Sequence, residues 1–527
     1  MSQMLKSSGA MAAATMTSRV LGMVREVVYA RFMGDGWVAG AFQLAFTIPN
    51  LFRRLLGEGA LTAAFIPVFK EKEKTGDEKE MWRAANAVIS GLVVAAAAVI
   101  GLVLLGVSTA LAVHTFAAQT QLMLQLLRVM FPYMLLVCLA AVFMGMLNAR
   151  GHFFIPAMGA TMLNVVMIAS VLALAPCMGR ELHQQIFALA VGVLLAGVAQ
   201  AAFQLPTLQR EGFRYHWVSP WRDETVQRVV RQMIPGAIGV AAFQINVLLT
   251  QGVAFWVDAS IVASFNYAVR LMELPQGVFG ISLATYLLPT LSGLAAEKKY
   301  PEFRTTLRQG LSHLLFANLI ASALLVVLAG PIVRLLFERG KFTEESTVRV
   351  TFALACLAPG LVAFSTVNIL ARAFYALGDM KTPMKISIVC LALNLVFAIC
   401  LVVPLRQGGL GIANTLSAGL NVGFLFYALR KKPASAGRLE FRELRRTLLP
   451  LAAAAVIAGV VAWAAGRGWE RWIGHGALPQ KIGAVFVPAA LAASAYGLVA
   501  LLAKLQAAIE MRDLLLSRLR PNRSKHP

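Results

Sequence analysis

An all-α polytopic membrane protein of about fourteen helices is what this sequence predicts, on three observations. Hydrophobic residues make up 58% of the 527-residue chain and charged residues only 14%, too little polar surface to cover a soluble core. The apolar residues gather in runs long enough to cross roughly 30 Å of hydrocarbon, which takes about 20 residues of helix. Between the runs, basic residues collect on alternate sides.

Taken in order, the runs place spans at 10–33, 37–69, 84–112, 122–146, 154–175, 186–205, 232–255, 262–295, 309–333, 350–376, 386–403, 410–429, 447–465 and 482–503. The second and eighth are long, and are expected to extend beyond the bilayer or to bend at Pro49 and Pro275. Fourteen spans put both termini on one side. With that side cytoplasmic, the inside segments carry 31 Lys/Arg and the outside segments 9. The positive-inside rule therefore places both termini in the cytoplasm and the protein in a bacterial inner membrane. One outside loop, Arg334–Arg349, is discordant with its four basic residues.

The net charge of +23 follows from this topogenic bias and does not call for nucleic acid. Cys138, Cys356, Cys390 and Cys400 sit inside apolar runs and Cys177 at a run's end, with no C-x-x-C pair and no His/Cys cluster at ligand spacing. Neither a metal site, a disulfide framework nor a cofactor is implied. The first apolar run has no cleavage-site pattern and carries Arg19 and Arg25, so it reads as a retained span. No loop is long enough to hold a soluble catalytic domain.

Two proline-marked segments recur. Thr47-Ile-Pro-Asn-Leu-Phe52 in span 2 matches Glu273-Leu-Pro-Gln-Gly-Val-Phe279 in span 8 at an offset of about 226 residues. Asn148–Pro156, entering span 5, matches Gly378–Pro383, entering span 11, at about 227. The chain then divides into an N-lobe of six spans (1–222), a C-lobe of six (223–445), and spans 13 and 14 with a basic cytoplasmic tail (446–527). An even number of spans per lobe makes the repeats parallel, and two such lobes can rock about a central site.

Eight basic residues lie within spans, all arginine: Arg19, Arg25, Arg31, Arg53, Arg54, Arg128, Arg270 and Arg372. A charge at the bilayer centre costs roughly 2.5 kcal/mol or more unless a partner, water or a ligand meets it. Arg31, Arg128 and Arg372 are near enough to span ends to snorkel. Only Glu26, Glu58 and Glu273 accompany the rest, so ion pairs cannot neutralise the set, whereas an anionic ligand could. Arg54 and Glu58 have i,i+4 spacing, and Arg270 and Glu273 i,i+3, so each carboxylate can hold its arginine in place. Guanidinium stays charged and grips phosphate oxygens with paired hydrogen bonds, so the cluster reads as a pyrophosphate clamp, with a purely structural network as the alternative.

At these residues the sequence resembles the MurJ (MviN) family of lipid II flippases. The match is carried by Thr17-Ser-Arg-Val-Leu-Gly22, Pro49-Asn-Leu-Phe-Arg-Arg-Leu-Leu-Gly-Glu-Gly-Ala60, Arg270-Leu-Met-Glu-Leu-Pro-Gln-Gly-Val278, Leu336-Phe-Glu-Arg-Gly-Lys-Phe-Thr343 and Lys381-Thr-Pro383. The resemblance implies a multidrug/oligosaccharidyl-lipid/polysaccharide exporter fold of two six-helix lobes, with helices 13 and 14 helping to form a lipid-tail groove. It places the family's cavity arginines on Arg19, Arg25, Arg53 and Arg270, and the acid of its Gly-Glu-Gly motif on Glu58, leaving Glu26, Arg54 and Glu273 as supporting residues. Some family members carry acids where this chain has Gly40 and Val269, so the cavity is expected to be more positive here.

The implied activity is flipping of lipid II, an undecaprenyl-diphosphate-linked sugar-peptide, from the cytoplasmic to the periplasmic leaflet by alternating access, without covalent chemistry. That is a step of peptidoglycan biosynthesis, with membrane lipids and the cell-wall synthesis machinery as further candidate partners. Export of another polyprenyl-diphosphate-linked glycan is the nearest alternative. A membrane enzyme would need a positioned acid, base, nucleophile or metal, and the span carboxylates have no His or second carboxylate near them in sequence. A non-transporting scaffold is the third class.

Overall fold

A computed structural model describes residues 2–55, 61–75, 77–431 and 441–519, and among them the chain is helical with no strand. It forms two compact units, residues 1–263 with 339–343, and residues 264–338 with 344–527.

The first unit opens with α1 (Ser2–Met33), which ends at Gly34 in the left-handed region. Then come α2 (Trp37–Phe52), α3 (Thr62–Thr75), α4 (Glu78–Val113), α5 (Ala118–Met130), α6 (Tyr133–Ala149), α7 (Phe154–Ala169), α8 (Leu182–Arg210) and α9 (Glu224–Val257). Asp223 caps α9 by accepting from the Thr225 and Val226 amides. An aromatic chain locks α3, α4, α6 and the loop after α8 together. Ring centroids of Phe65–Phe69, Phe69–Trp82, Trp82–Phe213 and Phe143–Phe213 are 5.5, 5.7, 5.6 and 6.0 Å apart. Such pairs add about 1 kcal/mol each beyond burial.

The second unit holds most of α10 (Ala259–Pro275), a π-turn at Gln276–Ile281, α11 (Ser282–Ala296), α12 (Tyr300–Val327), α13 (Ala329–Leu336), α14 (Glu344–Leu357), α15 (Gly360–Ala376), α16 (Lys381–Arg430), α17 (Phe441–Trp472), α18 (Leu478–Leu502) and α19 (Gln506–Leu519). The 50-residue α16 is two spans. The backbone turns at Arg406 (φ 47°), and Ser417 Oγ donates to the Cys390 carbonyl at 2.6 Å, so the halves run antiparallel. The helix pair α17–α18 seats on α12, where the Tyr496 hydroxyl donates to the Phe316 carbonyl at 2.8 Å.

The sequence repeat has a structural counterpart. Gly151 (φ 87°) and Gly378 (φ 76°) end α6 and α15 with the same cap. In one, the Gly151 and His152 amides donate to Asn148 and Leu147; in the other, Gly378 and Asp379 donate to Tyr375 and Phe374. These are Schellman closures, in which glycine takes the left-handed conformation that a side chain resists. The helix pairs leading into them, α5–α6 and α14–α15, bend by 43° and 42° at breaks before Tyr133 and Gly360. Pro156 and Pro383 then fall in the first turn of α7 and α16, where a missing N–H costs no hydrogen bond. Pro49 and Pro275 each precede a π-widened turn, at 53–55 and 276–281.

Helix lies under each of the fourteen expected ranges, 56–60 being outside the described residues. By length and composition alone, eight helices qualify as spans, or ten when each bent pair counts as one. That test leaves out four of the expected spans: polar side chains dilute the hydropathy of α1, the second span is interrupted at 56–60 outside the described residues, α10 breaks at Pro275, and α16 is counted once.

The discordant loop carries ion pairs. Arg334 pairs with Glu338 (3.5 Å) and Glu470 (3.1 Å), and Arg349 with Glu345, so carboxylates offset two of its four basic charges. Residues 339–343 belong to the first unit, where the Lys341 amide donates to the Arg31 carbonyl at 3.0 Å. Two glycines permit this approach. A Cβ on Gly340 (φ 63°) would lie 2.5 Å from the Arg31 oxygen, and one on Gly34 (φ 62°) 2.6 Å from the Lys341 oxygen.

Outside the spans of the first unit, Arg150 joins Glu73 (2.9 Å) and Glu211 (2.8 Å), and His152 meets Glu211 at 2.8 Å. Hydrogen bonds from His152 and Arg150 hold the Glu211 carboxyl below the usual carboxylate range, and Lys70 and Arg150 do the same for Glu73. A carboxyl whose folded-state pKa is depressed contributes stability at neutral pH that is lost as pH falls below about 4. Thermal unfolding in detergent should therefore show a smaller drop in Tm from pH 7 to about pH 3 for Glu73→Gln/Glu211→Gln than for the unmodified protein. Equal drops would mean that these carboxylates carry no pH-dependent stability.

Candidate functional site

Partly buried arginines on α1 and α2 lie among the polar groups of the first unit. α1 is fixed from outside by α7, where Asn164 Nδ2 donates to the Ser18 carbonyl at 3.2 Å and Gly22 faces the same amide. This bond sets the turn that carries Arg19, which is exposed and makes no ion pair among the described residues. Arg25 is turned inward. Its Nη2 lies 2.6 Å from Glu26 Oε1, with the two side chains 14% and 10% exposed. Adjacent helical residues do not ordinarily face one another, but the long guanidinium stem reaches back to its neighbour. The guanidinium carbon stands 5.5 Å from the Tyr29 ring centroid, within cation–π range. Tyr29 meets Phe42 edge-on, and Phe42 lies parallel to Phe46, so an aromatic column backs the charge. Arg25 Nε is buried and has no acceptor among the described residues.

At the end of α2, Arg53 Nε donates to Asn50 Oδ1 at 2.7 Å, and Arg54 is half-buried beside it. Glu58, and with it the expected Arg54–Glu58 pair, lies outside the described residues. One turn earlier the Thr47 hydroxyl is shared between the Gln43 carbonyl (2.8 Å) and Gln251 Oε1 (3.1 Å), joining α2 to α9.

In the second unit Arg270 Nη1 lies 2.9 Å from Glu273 Oε2, the i,i+3 partner that the spacing suggested. Both side chains are over a third exposed, so the pair is worth about 1 kcal/mol or less and mainly orients the guanidinium. Of the arginines expected to snorkel, Arg31 and Arg128 are exposed and Arg372 half-buried.

Sequence reading missed a set of neutral groups on α9: Gln244, Asn246, Thr250 and Gln251, all buried. The available signal was two amides seven residues apart, on one helix face. It was weak because neutral side chains do not stand out in a charge census. With the arginines of α1 and α2 they give the first unit donors and acceptors suited to an oxyanion and to sugar or amide groups.

Gly40, where some relatives of the resembled family carry an acid, is in contact with the start of α10. A Cβ there would fall 1.8 Å from the Ala259 carbonyl oxygen, so the position has no room for any side chain.

A family model described as lipid II flippase MurJ matches residues 29–482. Among curated relatives, a "Probable lipid II flippase MurJ" of Haemophilus influenzae is 34% identical, covering 79% of this chain and 84% of its own length. A protein of the same description from Vibrio cholerae is 33% identical, over 88% of this chain and 89% of its own. The "Lipid II flippase MurJ" of Burkholderia cenocepacia is 33% identical, over 86% and 88%. Among solved structures, "Lipid II flippase MurJ, inward closed conformation" superposes with a TM-score of 0.77 at 20% identity, covering 96% of this chain and 99% of that one. An inward-facing multidrug-resistance MATE transporter of the MOP superfamily gives 0.63 at 15% identity, covering 81% and 99%. These two likenesses concern the fold.

Two stability outcomes follow from the geometry. Glu26→Gln should destabilise the protein by about 2–4 kcal/mol, because it strands a buried guanidinium, and added pyrophosphate should restore part of the lost Tm. No recovery with pyrophosphate would make Arg25 a structural charge. Gly40→Ala should cost about 1–3 kcal/mol by overpacking against Ala259, read in the same thermal assay.

Proposed function

Because this chain belongs to the lipid II flippase MurJ family, we propose that it carries lipid II from the cytoplasmic to the periplasmic leaflet by alternating access, and that Arg19, Arg25, Arg53 and Arg270 bind the diphosphate. The observation that supports the binding role is the open donor capacity of α1. Arg19 has no ion pair among the described residues, and Arg25 keeps a buried N–H without an acceptor although Glu26 is bonded to it. A buried donor left without a partner costs about 1–3 kcal/mol. A phosphate oxygen arriving there relieves that cost and so gains more than it would at a satisfied site.

The supporting residues then have separate tasks. Glu26 holds Arg25 inward, Glu273 aims Arg270, and Asn50 holds Arg53. Arg54 and Glu58 complete the set at the end of span 2. The amides of α9 meet the sugar-peptide. The prenyl chain stays in the bilayer, along spans 13 and 14.

The lobes proposed to move are residues 1–222 and 223–445; the matched caps and bends of α5–α6 and α14–α15 support the duplication, while residues 223–263, with α9, group with the first unit. The protein is a multi-pass membrane protein. Its placement in the inner membrane, with both termini in the cytoplasm, rests on the loop charge count. Transport on this reading makes and breaks no covalent bond, and lipid II should be recovered unchanged after incubation with the protein.

The test is flipping of labelled lipid II in cells depleted of their own flippase, comparing the unmodified chain with Arg270→Ala at matched expression. Activity in the first and a loss of tenfold or more in the second, about 1.4 kcal/mol of binding, is the expected result. Failure of the unmodified chain where a control flippase succeeds would reassign the substrate to another polyprenyl-diphosphate-linked glycan. Near-normal flipping by Arg19→Ala, Arg25→Ala and Arg270→Ala would remove the arginine clamp.

A further inference from the structure

The loop between α8 and α9 has a construction that flipping does not use. Asn86 and Ser90 lie one turn apart on α4, at the start of an apolar run, and both are fully buried. Polar side chains there need partners, and the loop supplies them. Asn86 Nδ2 donates to the Arg214 carbonyl at 3.0 Å and lies 2.9 Å from His216 Nδ1. The Tyr215 hydroxyl is 3.3 Å from Ser90 Oγ, which also accepts from the Val218 amide at 3.4 Å. Phe213 is buried in the aromatic chain, and the Pro220 ring packs at Gly91.

The loop is thus stretched along α4 from residue 86 to residue 91, about 7 Å of helix at 1.5 Å per residue. The apolar run expected to cross the membrane begins at residue 84, which puts that stretch near the cytoplasmic end of the span on this reading. Three large aromatics are exposed at this level: Trp217 and Trp221 are 58% and 73% exposed, and Tyr215 is 51% exposed with its hydroxyl turned to Ser90. Around them Arg210, Arg214, Arg222 and Arg231 are exposed and make no ion pair among the described residues. The neighbouring acids are engaged elsewhere, Glu211 with Arg150 and His152, Asp223 at the α9 cap. Glu224 and, beside Gly212, Glu78 offset part of the charge of the four arginines.

We infer that the 212–222 loop is an interfacial anchor that binds anionic phospholipid headgroups of the leaflet on its side of the membrane, the cytoplasmic one by loop charge. Indole and phenol rings favour the headgroup boundary, with an apolar body and a polar edge. Arginines beside them reach phosphates, and each gains from a negative surface potential. The pinning by Asn86 and Ser90 makes the site preformed, so little loop entropy is lost on binding.

The test uses the full-length protein in phosphatidylcholine vesicles with and without phosphatidylglycerol. Tryptophan fluorescence of the unmodified protein minus that of Trp217→Phe/Trp221→Phe isolates two of the eight tryptophans. The difference signal should be quenched by lipids brominated near the glycerol and shielded from aqueous iodide. Arg214→Gln/Arg222→Gln should retain about tenfold or more less phosphatidylglycerol relative to phosphatidylcholine, read by native mass spectrometry. Strong iodide quenching of the difference signal would place the loop in water or against a soluble partner and overturn the anchor. An unchanged lipid ratio in the arginine variant would overturn its preference for anionic headgroups.

Discussion

A guanidinium cannot enter a membrane alone, and much of this protein's interior answers that constraint. Arg25 sits among buried side chains with a single carboxylate at 2.6 Å and an aromatic column behind it. Neighbouring elements serve the same end. α7 fixes the turn of α1 through Asn164, and α9 turns its amides inward beside α2. A lipid-facing helix with the polar content of α1 would be expelled from the bilayer, so its stability depends on the helices that cover it.

The second organising fact is duplication. A helix pair bent by about the same angle and closed by the same glycine cap appears twice, at a spacing that also separates the prolines opening α7 and α16. Each copy places a break inside an expected span. At the second, beside Pro359, Ser322 donates to the Ala358 carbonyl at 3.0 Å and Thr415 to the Cys356 carbonyl at 3.1 Å. Polar side chains inside apolar helices are thereby accounted for as satisfiers of broken backbone, a role distinct from that of the arginines.

Most of this architecture was legible in the sequence, because hydropathy and loop charge act at the scale of whole spans. The repeat was visible through four prolines, and the Arg270–Glu273 pair through its spacing. What stayed hidden depended on particular contacts. Adjacent residues such as Arg25 and Glu26 are not counted as helix partners, so their bond is seen only once burial draws both inward. The amides of α9 carry no charge to mark them. The four basic residues of 334–349 run against the positive-inside pattern, and the ion pairs of Arg334 with Glu338 and Glu470 could not be read from the loop charge count. Gly40 read as a missing acid, whereas the Ala259 backbone fills the space where any side chain would go.

The clasp of Gly34 and Gly340 joins residues about three hundred positions apart within one unit. Residues 1–263 leave the ribosome well before their last piece, 339–343, has been made. At about 5–20 residues per second the roughly 80 intervening residues take about 4–16 s. For that interval the turn after α1 stands without its cover, and the unit can close only after α10 to α13 have been synthesised. Completion of the first half is thus timed by synthesis of the second, so the order of folding does not follow the order of the chain.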